Sequence, residues 1–331
     1  MVGPSGGHFF PFLRLVQYLR KREVKLPLLF TGWLPGYLRE IAIKENIPFL
    51  QLPLKRRSEG KINFYSHIML SLLKFLLRVK KNVPSSIISS GGYPSSIGGI
   101  AARLNGIPLI LYEPNVIPGK TNLYLARWAS IILAGFPETS IFFPGKKVIT
   151  VGIPVENTVI SSPHPPTILI LGGSQGSHFL NTAIPLILKE TLPSHFHIIH
   201  ISGERDYHEV KNLYQSSPFS CQVYPFYYPI EELYAKTDYC ISRGGAITLW
   251  ELATWNIPTL VFPLLTSYTS HQLDNAYYFR KFAPFEVGKE KEAQKKIKEF
   301  ISSPPSGKKM KELKEKPEEK IWEAIKSILS K

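Results

Sequence analysis

The stretch ILILGGSQGSHFLN, residues 168–181, joins an apolar run to a glycine turn and then to a helical pattern. Such an order reads as a buried β-strand delivering the chain to a helix N-terminus. Glycines in Gly172-Gly173-Ser174-Gln175-Gly176 let a backbone approach a ligand closely, and the helix start favours negative charge. Ser174 and Gln175 add side-chain donors. The turn has neither the lysine of a Walker loop nor the spacing of a dinucleotide fingerprint. It therefore reads as an anion-binding turn of another kind, or as a structural turn.

The same grammar repeats on both sides of it. Apolar runs at 26–32, 85–93, 107–115, 131–136, 166–174, 196–203, 238–246 and 257–263 each end in glycine or a polar turn, with helical patterns between them. Continuous apolar strands of this kind belong to parallel sheets covered on both faces, which place ligands at their carboxyl ends. The segment NTVISSPHPPT (157–167) is rich in Ser and Pro and separates two such blocks. The expected fold is α/β: two doubly wound domains facing across a cleft. Residues 1–156 form the first, and 157–331, with terminal helices in KEKEAQKKIKEFI and PEEKIWEAIKSILSK, form the second.

A chain of 331 residues fits two domains, and 44% hydrophobic residues suffice for sizeable cores. Cys221 and Cys240, the two cysteines, lie in apolar contexts and read as buried thiols of a reducing compartment. No secretory signal pattern is present, and no unbroken apolar run reaches the ~18 residues that span a bilayer. Of the net charge of +15, residues 1–81 carry +11. A polyanionic partner is therefore expected, either an anionic membrane surface or nucleic acid.

Four further stretches carry chemistry. SRGGAITLWELA (242–253) again runs strand, Gly-Gly, helix, and places Glu251 two turns into the helix, where a carboxylate can accept from ribose hydroxyls. MVGPSGGHFF (1–10) sets His8 beside glycines at a helix start, and its pKa range suits a general base near neutral pH. Within 91–122, Tyr93, Glu113 and Asn115 fall at strand ends, where they can position sugar hydroxyls. In 62–81, Ile68, Leu72, Phe75 and Leu76 make one apolar stripe, widened by Leu73 and Leu77 and surrounded by Lys74, Arg78, Lys80 and Lys81. That stripe reads either as a core-facing surface or as an interfacial helix on anionic lipid. The chain has no Asp-x-Asp metal motif, no zinc-spaced Cys/His cluster and no Gly-x-Ser-x-Gly elbow.

Taken together and in order, SGGHFFP, GGYPSSIGGIAA, YEPNVIPGKTN, VGIPV, LGGSQGSHFLN, RGGAITLWELA and HQLDNA resemble the MurG family, glycosyltransferase family 28. The resemblance covers nearly the whole chain. It implies a GT-B fold and inverting, metal-independent transfer of N-acetylglucosamine from UDP-GlcNAc to the 4-hydroxyl of lipid I, forming lipid II in peptidoglycan synthesis. UDP-GlcNAc is then the donor substrate, and no cofactor is expected. Gly173, Ser174, Gln175 and Gly176 would meet the diphosphate, and Phe226 and Tyr227 the uracil. Gly245 and Ala246 would add backbone contacts, Glu251 would bind the ribose, and Gln272 and Asn275 the sugar. His8, Tyr93 and Glu113 form the implied catalytic group, with Ser5, Gly6, Gly7 and Asn115 positioning the reactants. Ile68, Leu72, Phe75, Leu76, Lys74 and Arg78 would dock on anionic lipids of the cytoplasmic face of the bacterial inner membrane. Other cell-wall synthesis proteins are implied as partners, and nucleic acid is not.

Three departures from the family pattern stand out. Pro4 and Ser5 replace a glycine and a threonine of the first turn. Glu156 stands where the family has an arginine near the donor phosphates, and a carboxylate there repels a diphosphate. Only Met1 and Val2 remain of the first strand, so an upstream extension of the gene product is expected. Two alternatives stay open: another GT-B enzyme using a different UDP-sugar, and a truncated, inactive homologue that only binds membrane or partners.

Overall fold

The computed structural model describes residues 6–24, 27–54, 61–156, 164–266, 271–306 and 316–330. The chain divides into two units: Met1–Pro154 with Lys316–Lys331, and Val155–Glu315.

In the second unit, the apolar runs become β7 (Thr167–Leu171), β8 (His197–Ile201), β9 (Ser220–Tyr224), β10 (Tyr239–Ser242), β11 (Thr259–Val261) and β12 (Phe285–Val287). They pair in parallel in the order β12-β11-β10-β7-β8-β9. From β7 the chain winds outward to β9, then returns to β10 on the other side and winds outward to β12. The crevice between the carboxyl ends of β7 and β10 is thus the topological switch point, where doubly wound sheets bind ligands. Helices α6 (His178–Thr191), α7 (Tyr207–Tyr214), α8 (Glu231–Tyr234), α9 (Ala246–Thr254), α10 (His271–Arg280) and α11 (Ala293–Ser302) connect the strands. One core joins Ile168 and Ile170 of β7 to Leu180, Ile184 and Leu188 of α6 and to Ile297 and Phe300 of α11.

The first unit holds a parallel pair, β1 (Phe30–Gly32) with β2 (Phe49–Gln51). It also holds a four-stranded parallel sheet, β3 (Ile87–Ser89), β4 (Leu109–Glu113), β5 (Ala129–Ala134) and β6 (Val148–Thr150), in that order. Its helices are α1 (Gly6–Lys21), α2 (Gly36–Lys44), α3 (Lys61–Lys81), α4 (Tyr93–Asn105) and α5 (Lys120–Leu125). Helix α1 lies against both sheets: Phe9 meets Phe30 of β1 at 5.7 Å and Phe12 meets Tyr112 of β4 at 5.6 Å between ring centroids. The strand expected ahead of α1 falls on residues 1–5, outside the described residues.

Two expectations are corrected. The last helix, α12 (Pro317–Leu329), belongs to the first unit, packing on α1 and β5 and burying Ile321, Ala324 and Ile325. The apolar stripe of α3 faces inward. Phe75 is buried, and Ile68, Leu72 and Leu76 pack against the core of the first unit. The exposed apolar side chains of α3 are Ile62, Tyr65, Met69, Leu70, Leu73 and Leu77. This helix is apolar almost all round, so its periodicity does not choose the face that packs. Among the described residues it is also the one helix long and apolar enough to cross a membrane by length and composition. Both cysteines are free, and burial pushes the Cys221 thiol up to about 12.

Candidate functional site

The candidate site of the second unit is built largely from backbone. Strand β7 ends at Leu171, and the chain turns through Gly172–Gly176 before Ser177 caps α6. Gly176 donates its N–H to the Gly173 carbonyl at 3.0 Å, which closes the turn. The loop after β8 presses against it. Gly176 (φ 73°) has no room for a Cβ, which would strike the Ser202 carbonyl. A Cβ on Gly203 (φ 78°) would lie 2.7 Å from Gln175. Two loops whose backbones touch in this way need glycine on both sides. Ser174 is half-buried and Gln175 exposed on the outside of the turn.

A buried network supports the second loop. Asn181 of α6 donates Nδ2 to the Ser202 carbonyl and to Asp206 Oδ2, both at 2.8 Å. Its Oδ1 accepts from His200 Nε2 at 3.0 Å, and the Tyr214 hydroxyl bonds His200 Nδ1 at 3.1 Å. An amide oxygen only accepts, so the His200 proton sits on Nε2 and the ring is neutral. Burial agrees, lowering His200 to about 3. The Arg205 guanidinium pairs with both oxygens of Asp206 and holds its carboxyl well below the usual range.

Across the switch point, Gly245 caps α9 after β10. Glu251 on that helix accepts from the Tyr234 hydroxyl at 2.8 Å through Oε2, which fixes its rotamer. Gln272 accepts through Oε1 from Gly244 N at 3.2 Å and from Leu264 N at 3.0 Å, which leaves its amide nitrogen to donate. Asn275 departs from its expected sugar contact. It is fully buried and donates to the Gly244 carbonyl at 3.2 Å, so it holds the turn from beneath. Ala246 is buried as well. Phe226 and Tyr227 follow β9, where the Tyr227 hydroxyl donates to Glu232 Oε2 at 2.8 Å and is pushed up to about 12 by that bond.

The candidate site of the first unit is built from side chains. His8 stands in the first turn of α1, with Gly6 and Gly7 already inside that helix. Its Nδ1 meets the Ser90 carbonyl at 2.7 Å. A carbonyl cannot donate, so Nδ1 carries a proton, and in the neutral ring the lone pair is on Nε2. Next to the ring lie Gly91 and Gly92, then Tyr93 at the start of α4. The Tyr93 ring packs on Phe64 of α3 at 5.5 Å. Glu113, at the end of β4, accepts four hydrogen bonds. Oε1 takes them from the N–H and side chain of Asn115 at 3.0 and 2.8 Å, and Oε2 from Gly119 N and Asn122 Nδ2, both at 2.9 Å. Burial raises this carboxyl above its ordinary value, and the Asn115, Gly119 and Asn122 bonds pull it back. With both oxygens engaged, Glu113 orders the 113–122 loop. Ser5 lies outside the described residues.

Motif reading missed Asn122, Asn181, His200, Gly203, Tyr234 and Arg243. Their partners lie well away along the chain, and only the repeated strand–glycine pattern after β8 hinted at Gly203.

Residues 1–134 match the glycosyltransferase family 28 N-terminal domain, and residues 167–328 match its C-terminal domain. The chain belongs to glycosyltransferase family 28. Within this family it is 32% identical over 297 residues to a Hahella chejuensis protein, spanning 85% of this chain and 81% of that one. It is 34% identical over 285 residues to a Histophilus somni protein, spanning 80% and 76%. Both relatives are named UDP-N-acetylglucosamine–N-acetylmuramyl-(pentapeptide) pyrophosphoryl-undecaprenol N-acetylglucosamine transferase. Acinetobacter baumannii MurG superposes with a TM-score of 0.66 at 25% identity, covering 91% of this chain and 89% of that one. The two Rossmann-like units are those of a GT-B glycosyltransferase.

Proposed function

We propose that this enzyme transfers N-acetylglucosamine from UDP-GlcNAc to the 4-hydroxyl of the N-acetylmuramyl group of lipid I, giving lipid II. One observation carries the substrate assignment: the chain is similar over more than four-fifths of its length to a transferase named for those substrates.

The chemistry at each half-site supports it. In the second unit, the Gly172–Gly176 turn and the N-terminus of α6 offer backbone donors to a diphosphate. Glu251 accepts from the ribose hydroxyls, and the amide nitrogen of Gln272 donates to a sugar oxygen. In the first unit, His8 Nε2 takes the proton of the acceptor hydroxyl, while Nδ1 stays bonded to Ser90. The hydroxyl oxygen attacks the anomeric carbon as the bond to UDP breaks, so the configuration inverts. Donors aimed at the diphosphate stabilise the charge on departing UDP. No divalent cation is included in this reading, and activity should persist in EDTA.

The exposed apolar face of α3, flanked by Arg78, Lys80 and Lys81, suits docking on an anionic membrane where a lipid-linked acceptor resides. The cytoplasmic face of the inner membrane is the side proposed. Lys74 donates to the Gln51 carbonyl at 3.0 Å and ties α3 to β2. Leu73→Glu with Leu77→Glu should abolish sedimentation with phosphatidylglycerol vesicles and leave UDP affinity unchanged.

The deciding experiment supplies radiolabelled UDP-GlcNAc and a lipid I analogue. Labelled disaccharide lipid is expected. Preferred transfer from UDP-glucose or UDP-galactose would overturn the donor assignment, and UDP binding without any transfer would favour a binding protein.

A further inference from the structure

The second unit buries a full positive charge that the reaction above does not use. Arg243 follows β10 and is 8% exposed. Its Nε donates to Ser177 Oγ at 2.8 Å, and Nη1 donates to the Phe262 carbonyl at 2.9 Å and to Glu290 Oε1 at 2.6 Å. The guanidinium lies over the Phe179 ring, 5.2 Å from its centroid. One side chain thus joins the cap and first turn of α6, the end of β11 and the 3-10 helix Glu290–Glu292.

Ser177 is the residue through which this matters. It closes the donor turn, and a Cβ built on Gly172 would lie 2.5 Å from Ser177 N. Its own cap bond, from Leu180 N, is long at 3.4 Å. The Arg243 bond is therefore the stronger restraint on the hydroxyl. Removing a guanidinium from water is costly, and an apolar residue could fill the space between these elements. Retaining the charge makes sense where it fixes a geometry that an apolar residue cannot.

We propose that Arg243 is a positioning residue for the donor turn, acting through Ser177, and that Glu290 sets the orientation of Arg243. The inference rests on the donor-site reading above. With Ser177 fixed, the N–H groups that open α6 are held in place for a phosphate.

The test is a double-mutant cycle read by calorimetric titration of UDP. Arg243→Ala should weaken UDP roughly tenfold, and Ser177→Ala several-fold. The double variant should bind no more weakly than Arg243→Ala alone, because both changes break one link. Arg243→Lys should not rescue, since an ammonium cannot reach Ser177 and Glu290 in two fixed directions. Glu290→Gln should give an intermediate loss. Uridine, which lacks phosphates, should bind all variants as it binds the parent. Additive losses in the cycle, an equal loss of uridine and UDP, or parental UDP affinity in Arg243→Ala would each overturn the proposal. If Arg243→Ala does not fold, Arg243→Lys takes its place in the cycle. Failure of the unaltered chain to bind UDP overturns the donor-site reading itself.

Discussion

Each unit buries a charged side chain near its glycine turns, Glu113 in the first and Arg243 in the second, and these two are of opposite sign. Glu113 of the first unit is 1% exposed and is neutralised by four N–H donors of its own segment, with no cation among them. Arg243 of the second is 8% exposed and is answered by a carboxylate, a carbonyl and a hydroxyl. The signs suit the two jobs. In the proposed reaction, a buried carboxylate on the histidine side suits a proton arriving at His8. On the glycine-turn side, the proposed role of Arg243 is to hold the donors that would meet a diphosphate. Side chains at the ends of β4 and β10 thus place buried charges of opposite sign in the two units.

Substitutions can break this contrast or sharpen it. The largest effect is expected from His8→Ala, which should lower turnover by about 10²–10⁴-fold with UDP affinity unchanged. A parallel loss of UDP binding would mean that the two half-sites do not divide the work as described. Gly176→Ala should follow. Its φ of 73° and the Ser202 carbonyl leave no place for a methyl group, so stability should fall by roughly 2 kcal/mol or more, with UDP binding lost. Denaturant midpoints and titration read both. Glu113→Gln is the counterpart in the first unit. An amide cannot accept on both arms, so about 1–3 kcal/mol of stability should go, and kcat should fall while UDP affinity holds. Tyr234→Phe is the mildest. It frees Glu251 from one bond, and UDP affinity should drop only a few-fold, about 0.5–1.5 kcal/mol. Unchanged affinity there would remove Glu251 from the ribose.

The buried strands were legible because burial on both faces writes itself as an apolar run. β7, β10 and β4 are examples. β2, β6, β9 and β12 were not, and each of these lies at the edge of its sheet. These four are partly solvated, as the mixed burial of β9 illustrates, and carry no such signature, whereas the edge strands β1 and β3 are buried enough to keep it. The glycine turns were legible as motifs, yet their supports were not. Arg243 meets Ser177 across 66 residues, and Asn181 meets Asp206 across 25. No local pattern encodes such pairings. Helix α3 misled for a different reason. Ile68-Leu72-Phe75 and Met69-Leu73-Leu77 are both helical stripes, and only packing decides which one is core.

The placement of α12 has a consequence for how this chain comes into being. The second unit is a single stretch of sequence, whereas the first is closed by Ile321, Ala324 and Ile325, which are made after it. During synthesis the second unit can fold as soon as its residues clear the ribosome. The first, although its residues emerge earliest, waits for the final helix. The unit that carries His8 is therefore completed after the other, and a ribosome that stalls before residue 316 releases a chain whose second unit is whole and whose first unit lacks α12.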